Sequence, residues 1–285
     1  MKIIISPKQG MCFGVKRALE IAEKASKEKG SRIFTYGPLV HNKEAVYALE
    51  RKGISVVDSI KDMNKGDVVL IRTHGISDKE MEMIRSKGVG VIDATCPFVS
   101  KAKKEAKEME KQGFRVVILG QKEHPEVKGI SESLKSPFII GSPDELNSIG
   151  KQSKIGLISQ TTQSEGMFNE TVQKLKRTGA ELKISNTICN ATAERQSSAI
   201  QTANDSDLMI VVGDKRSANT IKLAELCSEI TETKQIESVS ELEEYWFSGR
   251  STVGITAGAS TPDWVVEKVV EKIRQFGNRL GNGNL

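Results

Sequence analysis

Four cysteines (Cys12, Cys96, Cys189 and Cys227), three histidines (His41, His74 and His124) and Glu126, two residues beyond the last histidine, are the side chains best able to hold a metal or move a proton. Thiolates select soft metals, and a set of three leaves one coordination position open. Zinc completed by a histidine or water meets that description, and so does an iron-sulfur cluster with one open iron. No CxxC pair is present, which excludes a zinc ribbon and a thioredoxin-like redox motif. Four cysteines spread this widely make no disulfide scaffold either, and a reducing cytosol keeps them as thiols.

Their spacing points to a repeat. Cys12 and Cys96 are 84 residues apart, and Cys96 and Cys189 are 93 apart. Each follows a short apolar stretch with strand character (MKIIISPKQGMC, GVGVIDATC, ELKISNTIC) and precedes a helix-like segment. Pro97 suits a first helical turn. A polar loop follows at offsets of 29, 28 and 28 residues, carrying His41, His124, and Ser217 with Asn219. A further loop follows at offsets of 62, 65 and 71, in RTHG with His74, SQTT with Thr161 and TAGAST with Ser260. Cys227 stands apart from this pattern. In IKLAELCSEI it shares helical spacing with Leu223, Leu226 and Ile230, so it is expected in the core.

Strand and helix signals alternate, which implies an α/β fold of parallel sheets in three copies of one lobe. The lobes cover residues 13–96, residues 97–189, and residues 190–276 joined by residues 1–12. Lobes one and two close with the strand that delivers the next cysteine. Lobe three ends in the helical stretch around Trp264, so MKIIIS is expected to complete its sheet and close the lobes about a pseudo-threefold axis. The glycine- and asparagine-rich tail, 277–285, reads as mobile. Functional loops of parallel sheets lie beyond the carboxyl ends of the strands, where all these polar loops fall; loops and cysteines are expected to meet in one cavity.

Imidazoles, hydroxyls and a carboxamide beside helix N-termini suit a phosphate-bearing ligand, although capping alone also places Ser, Thr and Asn there. Neither a P-loop nor a GxGxxG fingerprint occurs, so a nucleotide is not indicated. Glu126, if shielded from water, would be held protonated as a general acid; on an exposed helix start it would only favour the dipole.

Hydrophobic residues at 38% and charged residues at 28% mark a soluble globular chain, and aromatics at 5% leave few rings for stacking nucleic-acid bases. Lys and Arg number 42 against 37 Asp and Glu, a net +5 with the signs mixed. That balance suits an anionic metabolite or an acidic protein partner and argues against nucleic acid. No apolar run approaches a membrane span, and the N-terminus lacks the pattern of a signal peptide, so no membrane association and a cytoplasmic location are expected.

The blocks GMCFGVKRA, VHN, THG, DATCPFV, HPEV, SQTT, ICNAT, SANT and GITAGASTPD run in order from residue 1 to about 275. Together they resemble the IspH (LytB) family, the 4-hydroxy-3-methylbut-2-enyl diphosphate reductases. The resemblance implies a three-lobed trefoil around one central 4Fe-4S cluster per chain, with Cys12, Cys96 and Cys189 as ligands and the fourth iron open to the allylic hydroxyl. It implies that His41, His74, His124, Ser217, Asn219 and Ser260 hold the diphosphate, that Thr161 positions the hydroxyl, and that Glu126 relays protons. Two electrons and two protons would then remove water, giving isopentenyl and dimethylallyl diphosphates at the last step of the non-mevalonate isoprenoid pathway. The electrons would come from an external donor such as ferredoxin or flavodoxin, since no flavin or nicotinamide motif is visible. Many members carry a second Ser where this chain has Ala218, which removes one side-chain hydrogen bond to the diphosphate. The repeat by itself supports only a three-cysteine metal site with an anion pocket. On that basis a redox-neutral iron-sulfur dehydratase, an electron carrier or sensor, and a structural zinc protein stay open.

Overall fold

The computed structural model describes residues 1–28 and 31–282; Lys29, Gly30 and 283–285 lie outside the described residues. Strand β1 (Lys2–Ile5) opens the chain and helix α1 (Phe13–Ala25) follows Cys12. A first sheet comprises β2 (Ile33–Tyr36), β3 (Ser55–Val57), β4 (Val68–Ile71) and β5 (Gly90–Asp93), with α2 (Lys43–Glu50) and α3 (Asp78–Ser86) between strands. After α4 (Pro97–Lys111), a second comprises β6 (Arg115–Leu119), β7 (Phe138–Ile140), β8 (Lys154–Ser159) and β9 (Glu181–Ile184), with α5 (Pro125–Ser131) and α6 (Glu165–Lys176). After α7 (Asn190–Asn204) come β10 (Leu208–Val212), α8 (Ala218–Ser228), β11 (Thr233–Ile236), β12 (Thr252–Ala257) and α9 (Asp263–Asn282).

All three sheets are parallel, in the orders β3-β2-β4-β5, β7-β6-β8-β9 and β11-β10-β12-β1. The N-terminal strand therefore takes the place in its sheet that β5 and β9 take in theirs. Ile3 pairs with Val253 as Val91 pairs with Val69 and Leu182 with Ile155. The inner strands VVLI, RVVIL, KIGLIS and LMIVV are nearly continuous apolar runs, as strands covered on both faces require. Each of the three closing strands is instead exposed at both ends and half-buried between.

The chain forms two compact units: one of Met1–Phe13, His41–Ala45 and Asn190–Leu285, which holds the third sheet, and one of Gly14–Val40 and Val46–Cys189, which holds the other two. In the second unit α4 buries Val99, Ala102, Ala106 and Met109, one stripe at helical spacing. The helix lies close to its sheet because β8 carries Gly156, where a Cβ would sit 2.8 Å from the Met109 sulfur. In the first unit α9 sets Val265, Val266, Val269, Val270, Ile273 and Phe276 against Ile210, Val212, Val253 and Ile255. Each such side chain contributes about 1.5–3 kcal/mol when fully buried.

One expectation needs correcting, and three strands carry no sequence signal. Of the tail expected over 277–285, residues 277–282 instead continue α9, because Phe276 is buried in the core and Arg279 reaches both carboxylate oxygens of Glu244 at 2.9 and 2.6 Å, and 283–285 lie outside the described residues. Strands β3, β7 and β11 went unread in the sequence, being three or four residues long, at sheet edges and only partly buried.

Candidate active site

Strand ends set the position of six of the polar residues singled out above. His41, His124 and Ser217 each stand five residues beyond the last residue of β2, β6 and β10. His74 and Ser260 stand three beyond β4 and β12, and Thr161 only two beyond β8. Thr161 is thus the counterpart of Thr73 and Ala259, one residue out of the register that the loop texts imply. Backbone hydrogen bonds give the same alignment: the amides of Cys12, Cys96 and Cys189 donate to the carbonyls of Ala259, Thr73 and Thr161 at 2.9, 2.9 and 3.0 Å. Each cysteine is held by the loop beyond the neighbouring strand.

Cys12 and Cys189 immediately precede α1 and α7, and Cys96 is the N-cap of α4 with Pro97 in its first turn. The positive end of a helix dipole favours an anionic ligand set. All three cysteines are half-buried. Cys227 is fully buried among Ala199, Ala203, Met209, Val211 and Leu223, and burial pushes its thiol up to about 12. Metal ligands must be reachable and deprotonated. Cys12, Cys96 and Cys189 meet the first condition, and Cys227, buried with its thiol raised, meets neither.

In the second unit Glu126 lies in the first turn of α5 but is only 2% exposed, so it is not a solvated helix-start acid. Its Oε1 accepts the Thr161 N–H at 2.6 Å and its Oε2 accepts the Thr161 hydroxyl at 2.7 Å. Burial raises the carboxyl to about 7, and the two Thr161 bonds offset part of that rise. A carboxyl poised there is able both to hold and to release a proton near neutrality. His124 caps α5, its Nδ1 accepting the Glu126 N–H at 3.2 Å, so the neutral ring carries its proton on Nε2. The His74 ring meets the His124 ring edge-on, with centroids 5.3 Å apart. Gly75 lets the chain turn beside His74: its φ is +70°, and a Cβ there would lie 3.1 Å from Thr95.

In the first unit Ser217 caps α8 by accepting the Thr220 N–H at 3.4 Å, and the Ser260 hydroxyl donates to the His41 carbonyl at 2.7 Å. Asn219 is 3% exposed, and neither its Nδ2 nor its Oδ1 has a partner among the described residues. An unsatisfied buried carboxamide is costly, and a ligand with donors or acceptors relieves that cost.

Two residues that hold these loops escaped the sequence reading. Asn42 caps α2 by accepting the Ala45 N–H at 2.9 Å. Gln160 accepts the Gln121 N–H and donates to the Thr162 hydroxyl, both at 2.9 Å, tying the loop after β6 to the loop after β8. Their only sequence signal is adjacency to assigned residues, in VHN and SQTT.

A family model described as LytB protein matches residues 3–274. The chain belongs to the LytB family. The 4-hydroxy-3-methylbut-2-enyl diphosphate reductase of Geobacter metallireducens is 42% identical to this LytB chain over 278 residues, covering 97% of it and 98% of the relative. That of Geobacter sulfurreducens is 41% identical over 281 residues, covering 98% and 99%. A solved structure of (E)-4-hydroxy-3-methyl-but-2-enyl diphosphate reductase, described as the terminal enzyme of the non-mevalonate pathway, matches with a TM-score of 0.70 and 39% identity over 96% of this chain and 100% of that one. The Plasmodium falciparum reductase structure matches with a TM-score of 0.90 and 28% identity over 95% and 87%.

Proposed function

We propose that this LytB chain is an oxidoreductase that removes the allylic hydroxyl of 4-hydroxy-3-methylbut-2-enyl diphosphate, giving isopentenyl and dimethylallyl diphosphates in the last step of the non-mevalonate pathway. The observation that carries the chemistry is Glu126, buried, bonded through both oxygens to Thr161 and raised to about 7. Hydroxide leaves carbon with difficulty near neutral pH, and a carboxylic acid held there delivers the proton that makes water the leaving group.

Cys12, Cys96 and Cys189 would hold a 4Fe-4S cluster, one per chain. When bound, the cluster supplies electron transfer and an iron open to act as a Lewis acid. His41, His74, His124, Ser217, Asn219 and Ser260 would bind the diphosphate, the Asn219 carboxamide, without a partner among the described residues, being the best placed to receive it. Binding at that remote end orients the reacting carbon. Thr161 would position the hydroxyl, and Glu126 would relay one proton to it and, once reprotonated from solvent, a second to the allyl unit. At Ala218 only the backbone N–H, in the first turn of α8, is available to the ligand. An external carrier such as ferredoxin or flavodoxin would provide the electrons, and the net +5 charge suits an acidic one. The three lobes are 13–96, 97–189, and 190–276 with 1–12. The location is the cytoplasm, and among the described residues no helix is long and apolar enough to cross a membrane.

Anaerobically reconstituted protein should contain about four irons and four sulfides per chain and turn over only with an added reductant. Turnover without reductant would make it a dehydratase, and a colourless protein containing zinc would refute the cluster.

A further inference from the structure

Arg195, in α7, is 8% exposed and has no part in the chemistry above. Its Nε and Nη2 donate to the Gly10 carbonyl at 3.1 and 2.8 Å, and its Nη1 donates to the Ala191 carbonyl at 2.7 Å. No ion pair joins it to a carboxylate among the described residues. Asp263 stands beside Gly10, its Oδ1 2.8 Å from where a Cβ would lie, without pairing with the guanidinium. A permanently charged group taken out of water and given only neutral carbonyls is costly, so buried arginines are ordinarily matched by an anion. Three of the five N–H donors of a guanidinium are occupied here, which leaves capacity for one.

Gly10 places that charge. It is two residues before Cys12, and two residues of chain span at most about 7 Å. With φ at +74° it sits in the left-handed region that favours glycine, and its carbonyl is gripped by two arms of one planar fork. The loop that presents Cys12 is therefore fastened to α7 through a cation.

We propose that Arg195 is a positioning residue for Cys12 and the fixed counter-charge to the anionic ligand set that Cys12 joins. The proposal rests on the reading of Cys12, Cys96 and Cys189 as cluster ligands. A nearby positive charge favours the reduced, more negative state of such a centre. At an effective dielectric of about 20, a unit charge about 10 Å away changes an equilibrium by roughly tenfold. Tenfold is 59 mV for a one-electron couple.

The test uses reconstituted holoenzyme and two variants that separate charge from hydrogen bonding. Arg195→Gln keeps a donor for the Gly10 carbonyl but loses the charge. Arg195→Lys keeps the charge but loses the fork. Iron and sulfide per chain, and the midpoint potential from a redox titration read by electron paramagnetic resonance, are measured for all three proteins. The expected result is a Gln variant whose one-electron equilibrium moves about tenfold against reduction at equal iron content, and a Lys variant within about twofold of the parent. Equal potentials in the two variants, whether both shifted or both unshifted, would overturn the counter-charge, and so would equal loss of iron from both. Failure of the parent protein to hold iron would strike the cysteine reading instead.

Discussion

Replacing Glu126 by Gln preserves the shape of a buried side chain and removes its proton. The amide oxygen can still accept the Thr161 N–H that now lies 2.6 Å from Oε1, and the amide nitrogen faces a hydroxyl able to accept as well as donate. In the parent chain burial raises the carboxyl from 4.5 to about 7. With its folded value above its unfolded one, the folded chain binds the extra proton between those two values. The stability that Glu126 contributes is then fully present below pH 4.5 and is lost as pH rises through 7. The gap is worth roughly 3 kcal/mol. Urea unfolding of the metal-free chain under reductant, followed by tryptophan fluorescence at pH values from about 4 to 8, should show that loss as the difference between the parent and Glu126→Gln profiles. In the reconstituted enzyme the same substitution should lower turnover by about 10²–10⁴-fold with iron content unchanged. Equal pH slopes for the two chains would refute the buried-acid argument, and undiminished turnover would remove Glu126 from the chemistry.

Other perturbations separate the remaining roles. Cys12→Ser, Cys96→Ser and Cys189→Ser should each abolish iron retention on reconstitution, whereas Cys227→Ser should keep it and cost about 1–3 kcal/mol for a hydroxyl buried in an apolar core; equal iron in all four would refute the ligand assignment. Thr161→Val keeps the N–H to Glu126 Oε1 but removes the hydroxyl that lowers the carboxyl, so the alkaline limb of the pH–rate profile should move to higher pH. Asn219→Leu removes two unsatisfied buried atoms, so the apo chain should be unchanged or about 1 kcal/mol more stable while the substrate KM rises. A KM unchanged by that substitution would take Asn219 out of the diphosphate site.

Much of the fold is written in the sequence because inner strands covered on both faces must be continuous apolar runs. Runs such as VVLI, RVVIL and LMIVV therefore announced themselves, and the recurring cysteine then supplied the register of the repeat. The edge strands β3, β7 and β11 carried no such mark, since a half-covered strand of three or four residues looks like any loop. Site residues were legible by type and loop but not by exact equivalence. Thr161 was matched with His74 and Ser260, whereas the hydrogen bond from the Cys189 amide aligns it with Thr73 and Ala259. The burial of Glu126 and its grip by Thr161, 35 residues away in the chain, depend on tertiary contacts that no local pattern encodes. Arg195 was equally hidden, because a charged residue in a polar helix looks solvated until the carbonyl of Gly10, 185 residues distant, is found beside it.

The most direct test of the central claim is the reaction itself. Reconstituted protein is mixed with reduced viologen dye and 4-hydroxy-3-methylbut-2-enyl diphosphate without oxygen, and dye oxidation and organic products are followed together. Substrate-dependent oxidation of two dye equivalents per molecule consumed, with isopentenyl and dimethylallyl diphosphates formed, is the predicted result. An intact cluster that leaves both dye and substrate unchanged would contradict it.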